Sequence, residues 1–228
     1  MNPDLQANAD EILDRVRVAA ERASRDPGEI VVVAVSKTFE RGLMDQAYDL
    51  GFRVFGESRI QELRQKSEVP FPDDLEIHMI GPLQTNKIRQ MLPYVDVLET
   101  IDRSRLVTAL STELVKQSAE LKVMLQINIS GEEQKSGVSP HDASALLESV
   151  IAAPGVRPTG LMTMAPYGAD GSTLRRVFGG LRDLRDQLQQ HHGVELPALS
   201  MGMSDDFETA IAEGATHVRI GRALFGSR

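Results

Sequence analysis

Hydrophobic positions along this chain follow two rhythms that take turns. Dense apolar runs such as Ile30-Val31-Val32-Val33-Ala34-Val35 suit strands buried on both faces, and the stretches between them show helical spacing. A first helix is predicted over 4–24, with Asn2 as N-cap, Pro3 in its first turn, and Leu5, Ile12, Val16 and Ala20 on one face. The turn Asp26-Pro27-Gly28 then leads into a strand over 30–37. Further strands are predicted over 53–58, 76–81, 95–100, 122–129, 159–164, 198–203 and 217–220, and helices over 42–50, 59–67, 84–92, 103–120, 140–152, 172–190 and 205–213. Asp102 is the expected cap of the helix from Arg103, and Ser204 of the helix from Asp205.

Eight strands alternating with helices, with no linker or low-complexity segment between them, predict one α/β domain over 1–228. A (β/α)8 TIM-type barrel with an extra N-terminal helix accounts for the length best, and an open doubly wound sheet is the alternative with the same local pattern. In a barrel, polar residues at strand C-termini face the active-site mouth. That rule selects Lys37, Glu57 and Ser58, His78 one step further in, Thr100, Asn128, Met162 to Met164, Ser200 to Ser204, and Arg219 to Arg222.

Composition narrows the chemistry. With 41% hydrophobic and 25% charged residues in 228, the chain has the make-up of an ordinary globular protein able to bury a large core. It has no cysteine, which removes disulfides, thiolate nucleophiles and thiolate metal sites. A net charge of −8 and the absence of tryptophan argue against a nucleic-acid partner. No apolar run approaches membrane-spanning length, and the N-terminus carries no secretion pattern, so the expectation is a cytoplasmic protein, without membrane contact and monomeric.

Lys37 is the candidate that orders the others. An amine at the rim of an apolar core is partly desolvated, which favours the free base able to attack a carbonyl, although a strand-end lysine can simply mark where a strand meets water. The segment Leu199-Ser200-Met201-Gly202-Met203-Ser204-Asp205-Asp206 offers amides and a hydroxyl suited to phosphate, and Val218-Arg219-Ile220-Gly221-Arg222 offers a second such strand end beside it. A lysine next to two phosphate-competent loops suits a phosphorylated aldehyde, for which pyridoxal 5'-phosphate is the obvious molecule. A Schiff-base aldolase acting on a sugar phosphate is the reading without a cofactor. His78, inside a strand, reads as a satisfied core histidine, and His191-His192 at a helix C-terminus is explained by the dipole without a metal.

The segments Ala34-Val35-Ser36-Lys37-Thr38, Phe55-Gly56-Glu57, His78-Met79-Ile80-Gly81-Pro82-Leu83-Gln84-Thr85-Asn86-Lys87, Asn128-Ile129-Ser130 with Lys135-Ser136-Gly137, Gly160-Leu161-Met162, the stretch from Leu199 to Asp206 and Val218-Arg219-Ile220-Gly221 resemble, in order, the pyridoxal phosphate homeostasis protein family (YggS/PROSC type). The resemblance implies a barrel related to the N-terminal domain of alanine racemase, with Lys37 as the Schiff-base lysine. It implies phosphate contacts from Ser204 and from amides around Gly202 and Gly221, with Arg219 facing the pyridine nitrogen. Met203, Ser200, Asn128, Met162, Ser58 and Arg222 complete the expected cofactor set, with no metal ligand and no established catalytic residue. The family usually has Asn-Tyr where this chain has Ser58-Arg59, and a small residue where it has Arg222. The implied role is carriage of the cofactor, with pyridoxal-phosphate-dependent apo-enzymes as possible recipients and little or no turnover. The alternative is a racemase-like enzyme using Tyr48, Tyr94 or Tyr167 as base, which is disfavoured because the chain ends at Arg228 without residues for a second racemase domain. Lys135 is read as solvated, with transient acceptance of the aldehyde as a minor role.

Overall fold

The computed structural model describes residues 3–132, 134 and 136–226. Eight parallel strands close in chain order: β1 (Val31–Val35), β2 (Val54–Glu57), β3 (Glu76–Met79), β4 (Val97–Ile101), β5 (Leu121–Gln126), β6 (Val156–Met162), β7 (Ala198–Met203) and β8 (His217–Ile220), the last pairing back onto β1. Helices α1 (Pro3–Arg22), α2 (Arg41–Asp49), α3 (Ile60–Lys66), α4 (Ile88–Met91), α5 (Ser104–Gln117), α6 (Ala143–Ile151), α7 (Gly171–His192), α8 (Phe207–Ala212) and α9 (Arg222–Phe225) surround it. The barrel with an extra N-terminal helix is therefore the fold.

Side chains alternate across each strand, so every second residue faces the helices and the rest face the barrel interior. Phe55, Leu98, Val123, Leu125, Leu161 and Leu199 face outward into a continuous core with Leu106, Leu110, Leu147 and Phe178 from the helices. Each such fully buried side chain stabilises the fold by roughly 1.5–3 kcal/mol. The inner apolar cluster is small, comprising Val97, Met124, Met162 and Ala198. The remaining inward positions include charged residues, which form the floor of the site described below.

Helix α1 buries Leu5, Ala9, Ile12, Val16, Ala19 and Ala20. It lies across α8 and α9, where Asn8 Nδ2 donates to the Leu224 carbonyl at 3.0 Å and Arg15 donates to Glu208 at 2.7 Å. The expected cap Asn2 and the loop residue Lys135 lie outside the described residues.

Several predicted boundaries move, each for a local reason. Strand β1 ends at Val35, two residues short of Lys37, because Thr38 at φ +70° turns the chain. Asp102 does not cap α5; its carboxylate pairs with the Arg103 guanidinium instead. Ser204 does not cap α8, which begins at Phe207, because Asp206 accepts from Met203 N at 2.6 Å and closes a turn over 203–206. The predicted helix over 84–92 is a 3-10 turn, Thr85–Lys87, running into the single α turn of α4. Helix α9 had no periodic signal because it is one turn long.

Candidate functional site

Strand ends β1, β6, β7 and β8 converge at the mouth on a cleft of about 320 Å³. Lys37 stands on one side of it, and Ser204, Gly221 and Arg222 stand among the lining residues of the β7 and β8 connections. Met162, Met203 and Ile80 supply apolar lining, and Arg219 the buried guanidinium. Of the residues expected from sequence, the structure thus brings together Lys37, Ser204, Arg219, Gly221, Arg222, Met162 and Met203.

The others stand elsewhere. Gly202 lies behind the cleft, at φ +90°, where a Cβ would come within 2.6 Å of Ala210 Cβ and 3.0 Å of Phe207 Cα. Ser200 is fully buried beneath Arg219. Asn128 is turned into its own loop, where its Nδ2 donates to the Glu132 carbonyl at 2.8 Å and its Oδ1 accepts from Ser130 Oγ and Gly131 N, each at 3.1 Å. Ser58 lines a neighbouring cavity. The Met203 amide is held by Asp206, so Met203 reaches the cleft through its side chain.

Two buried networks hold the site. Behind Lys37, the Lys66 ammonium on α3 donates to the Ser36 carbonyl at 2.8 Å and to Glu57 Oε1 and Glu62 Oε1 at 2.7 Å. Ser36 Oγ also donates to Glu57 Oε1 at 2.7 Å, and Glu62 accepts from Thr38 N. The residues on either side of Lys37 are therefore tied to one buried cation. Glu57 points into the helix layer rather than the mouth; burial pushes its pKa up, against the charge of Lys66, and its Oε2 has no hydrogen-bond partner among the described residues.

The second network runs through the barrel interior. Arg219 Nη1 donates to Ser200 Oγ at 2.6 Å, Nη2 donates to the Thr163 carbonyl at 2.8 Å, and Ser200 Oγ donates to Glu99 Oε2 at 2.6 Å. Glu99 Oε1 lies 2.6 Å from His78 Nδ1, and His78 Nε2 lies 3.7 Å from Glu76. Burial opposes charge at every step here, lowering the Arg219 pKa, but the partners prevail elsewhere. Burial alone would lower His78, yet the carboxylates of Glu76 and Glu99 raise it to about 9. Burial alone would raise Glu99, yet His78 and Arg219 bring it to about 2. His78 is thus the satisfied core histidine expected from sequence. His217, 5.8 Å away in a stacked arrangement, is lowered to about 4 by burial and by the charge of His78.

Glu99 and Lys66 were missed in the sequence. Glu99 had a signal: it stands two residues after Val97 and so shares that residue's inward face in a strand otherwise fit for burial. Lys66 had only an i, i+4 partner in Glu62, the pattern of an ordinary surface pair. Tyr167 lines the cleft but is 88% exposed, while the Tyr48 hydroxyl is bonded to Asp74 at 2.5 Å, away from the cleft.

The family described as alanine racemase, N-terminal domain, matches residues 7–228. A pyridoxal phosphate homeostasis protein of Aquifex aeolicus is 42% identical over 217 residues, covering 95% of each chain. The chain belongs to the pyridoxal phosphate homeostasis protein family. A member from Escherichia coli K12 is 38% identical, over 99% of this chain and 97% of its own. Among solved structures, the family member PipY of Synechococcus elongatus, described with PLP bound, has a TM-score of 0.83 at 34% identity, covering 94% of this chain and 100% of PipY. Alanine racemase of Corynebacterium glutamicum, at 22% identity and a TM-score of 0.69, shares the barrel over 96% of this chain and 62% of its own length.

Proposed function

We propose that this family member binds pyridoxal 5'-phosphate in the Lys37 cleft and holds it for delivery to pyridoxal-phosphate-dependent apo-enzymes in the cytoplasm, with little or no turnover of its own. The observation that carries this reading is the convergence of a lysine amine, a buried guanidinium and a serine hydroxyl on one 320 Å³ cleft of a size for one small ligand. The donor set suits the molecule: an amine for an aldehyde, a hydroxyl and Arg222 for a phosphate, and methionine and isoleucine walls for a flat ring. Bound there, the cofactor supplies an aldehyde carbon that an amine can capture, and a ring able to withdraw electrons.

The residues of this chain decide how far that capacity is used. Lys37 presents its amine from a turn fixed by Lys66. Ser204 and Arg222 receive the phosphate; the Arg222 guanidinium is held 2.6 Å from Asp205 on an exposed edge, where such a pair is weak and readily exchanged. Arg219, anchored from below by Ser200 and Thr163, would face the ring nitrogen. A cation at that position disfavours protonation of the nitrogen and so limits electron withdrawal, which suits storage better than catalysis. Tyr167 lies largely in solvent, and its hydroxyl has no hydrogen-bond partner among the described residues.

The test is the visible spectrum of the purified protein with added cofactor, wild type and Lys37→Ala, followed by borohydride reduction. The expected result is a band above the protein absorbance in wild type only, and a reduced adduct mapped to Lys37. A wild type that stays colourless would overturn the cofactor reading; rapid racemisation or decarboxylation of amino acids would overturn the carrier reading.

A further inference from the structure

A second cavity, of about 350 Å³, opens between the β2–α3, β3–α4 and β4–α5 connections and shares no residue with the Lys37 cleft. Three cations line it, Arg59, Lys87 and Arg103, and no aspartate or glutamate does. That is a conspicuous concentration in a chain of net charge −8. The Arg59 guanidinium has no hydrogen bond or ion pair among the described residues. Among the described residues Lys87 Nζ reaches only the Gln90 amide oxygen, at 3.4 Å. Arg103 is fixed across the cavity by Nη2, which donates to the Leu83 carbonyl at 2.9 Å, while Nη1 pairs with Asp102.

One acid thus accompanies three cations, leaving an excess of positive charge over a concave surface. Like charges so arranged raise one another's energy and focus a field that recruits an anion. Ser58 and Gln84 add a hydroxyl and an amide to the lining, and Met79, Leu83 and Ile60 give it apolar parts. The ligand so described is small, carries more than one negative charge at one end and has an uncharged remainder. Guanidinium forks favour a tetrahedral oxyanion, to which they donate in pairs.

We propose that this cavity is an anion site for a small phosphate monoester, separate from the Lys37 cleft. The proposal is independent of what occupies that cleft. The test is calorimetric titration of inorganic phosphate into the full chain at low chloride concentration, comparing wild type, Arg59→Ser, Lys87→Gln and Arg222→Ala. Arg59 is exposed and Lys87 half-buried, so these substitutions leave the core intact, as circular dichroism would verify. The expected result is saturable binding that Arg59→Ser and Lys87→Gln each weaken by about tenfold or more, and that added salt weakens further. In a protein that also binds phosphate in the Lys37 cleft, the event weakened by Arg59→Ser would keep its wild-type affinity in Arg222→Ala. Absence of saturable binding, or loss of all of it in Arg222→Ala alone, would overturn the proposal. Malonate binding as tightly as phosphate would overturn the assignment of a phosphate ligand.

Discussion

Lys66 is the residue on which the geometry around Lys37 depends. Its side chain is 5% exposed, and its ammonium makes three hydrogen bonds of 2.7–2.8 Å, to Ser36, Glu57 and Glu62. Removing one partner of a buried ion pair leaves the other uncompensated, which costs more than the pair itself contributes. Lys66→Met is therefore expected to destabilise the fold by about 3–5 kcal/mol, read from urea unfolding. It is also expected to weaken cofactor binding, because the carbonyl of Ser36 and the amide of Thr38 lose their shared anchor. A variant with wild-type stability would show that the network does not hold the turn. At this scale the sequence is uneven: Lys37 stood out because an apolar run ends on it, whereas Lys66 could not, since its i, i+4 spacing to Glu62 looks the same whether the helix face is wet or buried.

Among the elements, the β7–α8 connection shows how a short segment makes room for a ligand. Strand β7 ends in Ser200-Met201-Gly202-Met203, and Gly202 at φ +90° lets the chain turn against Phe207 and Ala210. Alanine there meets both an unfavourable backbone conformation and Ala210 Cβ, so Gly202→Ala is expected to cost well over about 1 kcal/mol and to displace Ser204 from the cleft. Thermal unfolding and cofactor titration together check this; unchanged values in both would sink it. A gentler case is Asp170, whose Oδ1 accepts from Thr173 N at 2.7 Å and caps α7. Asp170→Ala is expected to lower stability by about 0.5–2 kcal/mol and to leave cofactor binding unchanged, since Asp170 does not line the cleft and bonds Ser172 and Thr173. A loss of binding in that variant would link α7 to the site.

For the molecule as a whole, the charged barrel interior ties stability to pH. His78, raised from 6.5 to about 9, contributes fully below its unfolded value and loses that contribution as the pH rises through about 9. Glu99, lowered from 4.5 to about 2, contributes above its unfolded value and loses it as the pH falls through about 2. His217, lowered from 6.5 to about 4, contributes above 6.5 and loses that as the pH falls towards 4. Glu99→Gln is accordingly expected to be less stable than wild type by about 3–5 kcal/mol at pH 7, the gap narrowing above pH 9 as His78 loses its charge in the wild type. Urea unfolding at pH 7 and pH 10 would decide, and an unchanging gap would show that the pair is not what the charge stabilises.

The sequence by itself determined the order of strands and helices, the lysine just after β1, and the two loops beside it, because each of these is a local pattern of burial or turn chemistry, and it favoured a barrel by length alone, since an open sheet has the same local pattern. Only the tertiary structure decided which strand-end residues share one cleft. Asn128 and Ser58 occupy strand ends like Lys37 and Ser204, yet hydrogen bonds of its own side chain draw the first into its loop and chain position puts the second on another cavity. It also decided that Arg219, Ser200, Glu99 and His78 form one continuous interior network, since these residues come from four strands far apart in the chain. Barrel closure brings them together, and the low polarity inside makes each of their charges depend on the next.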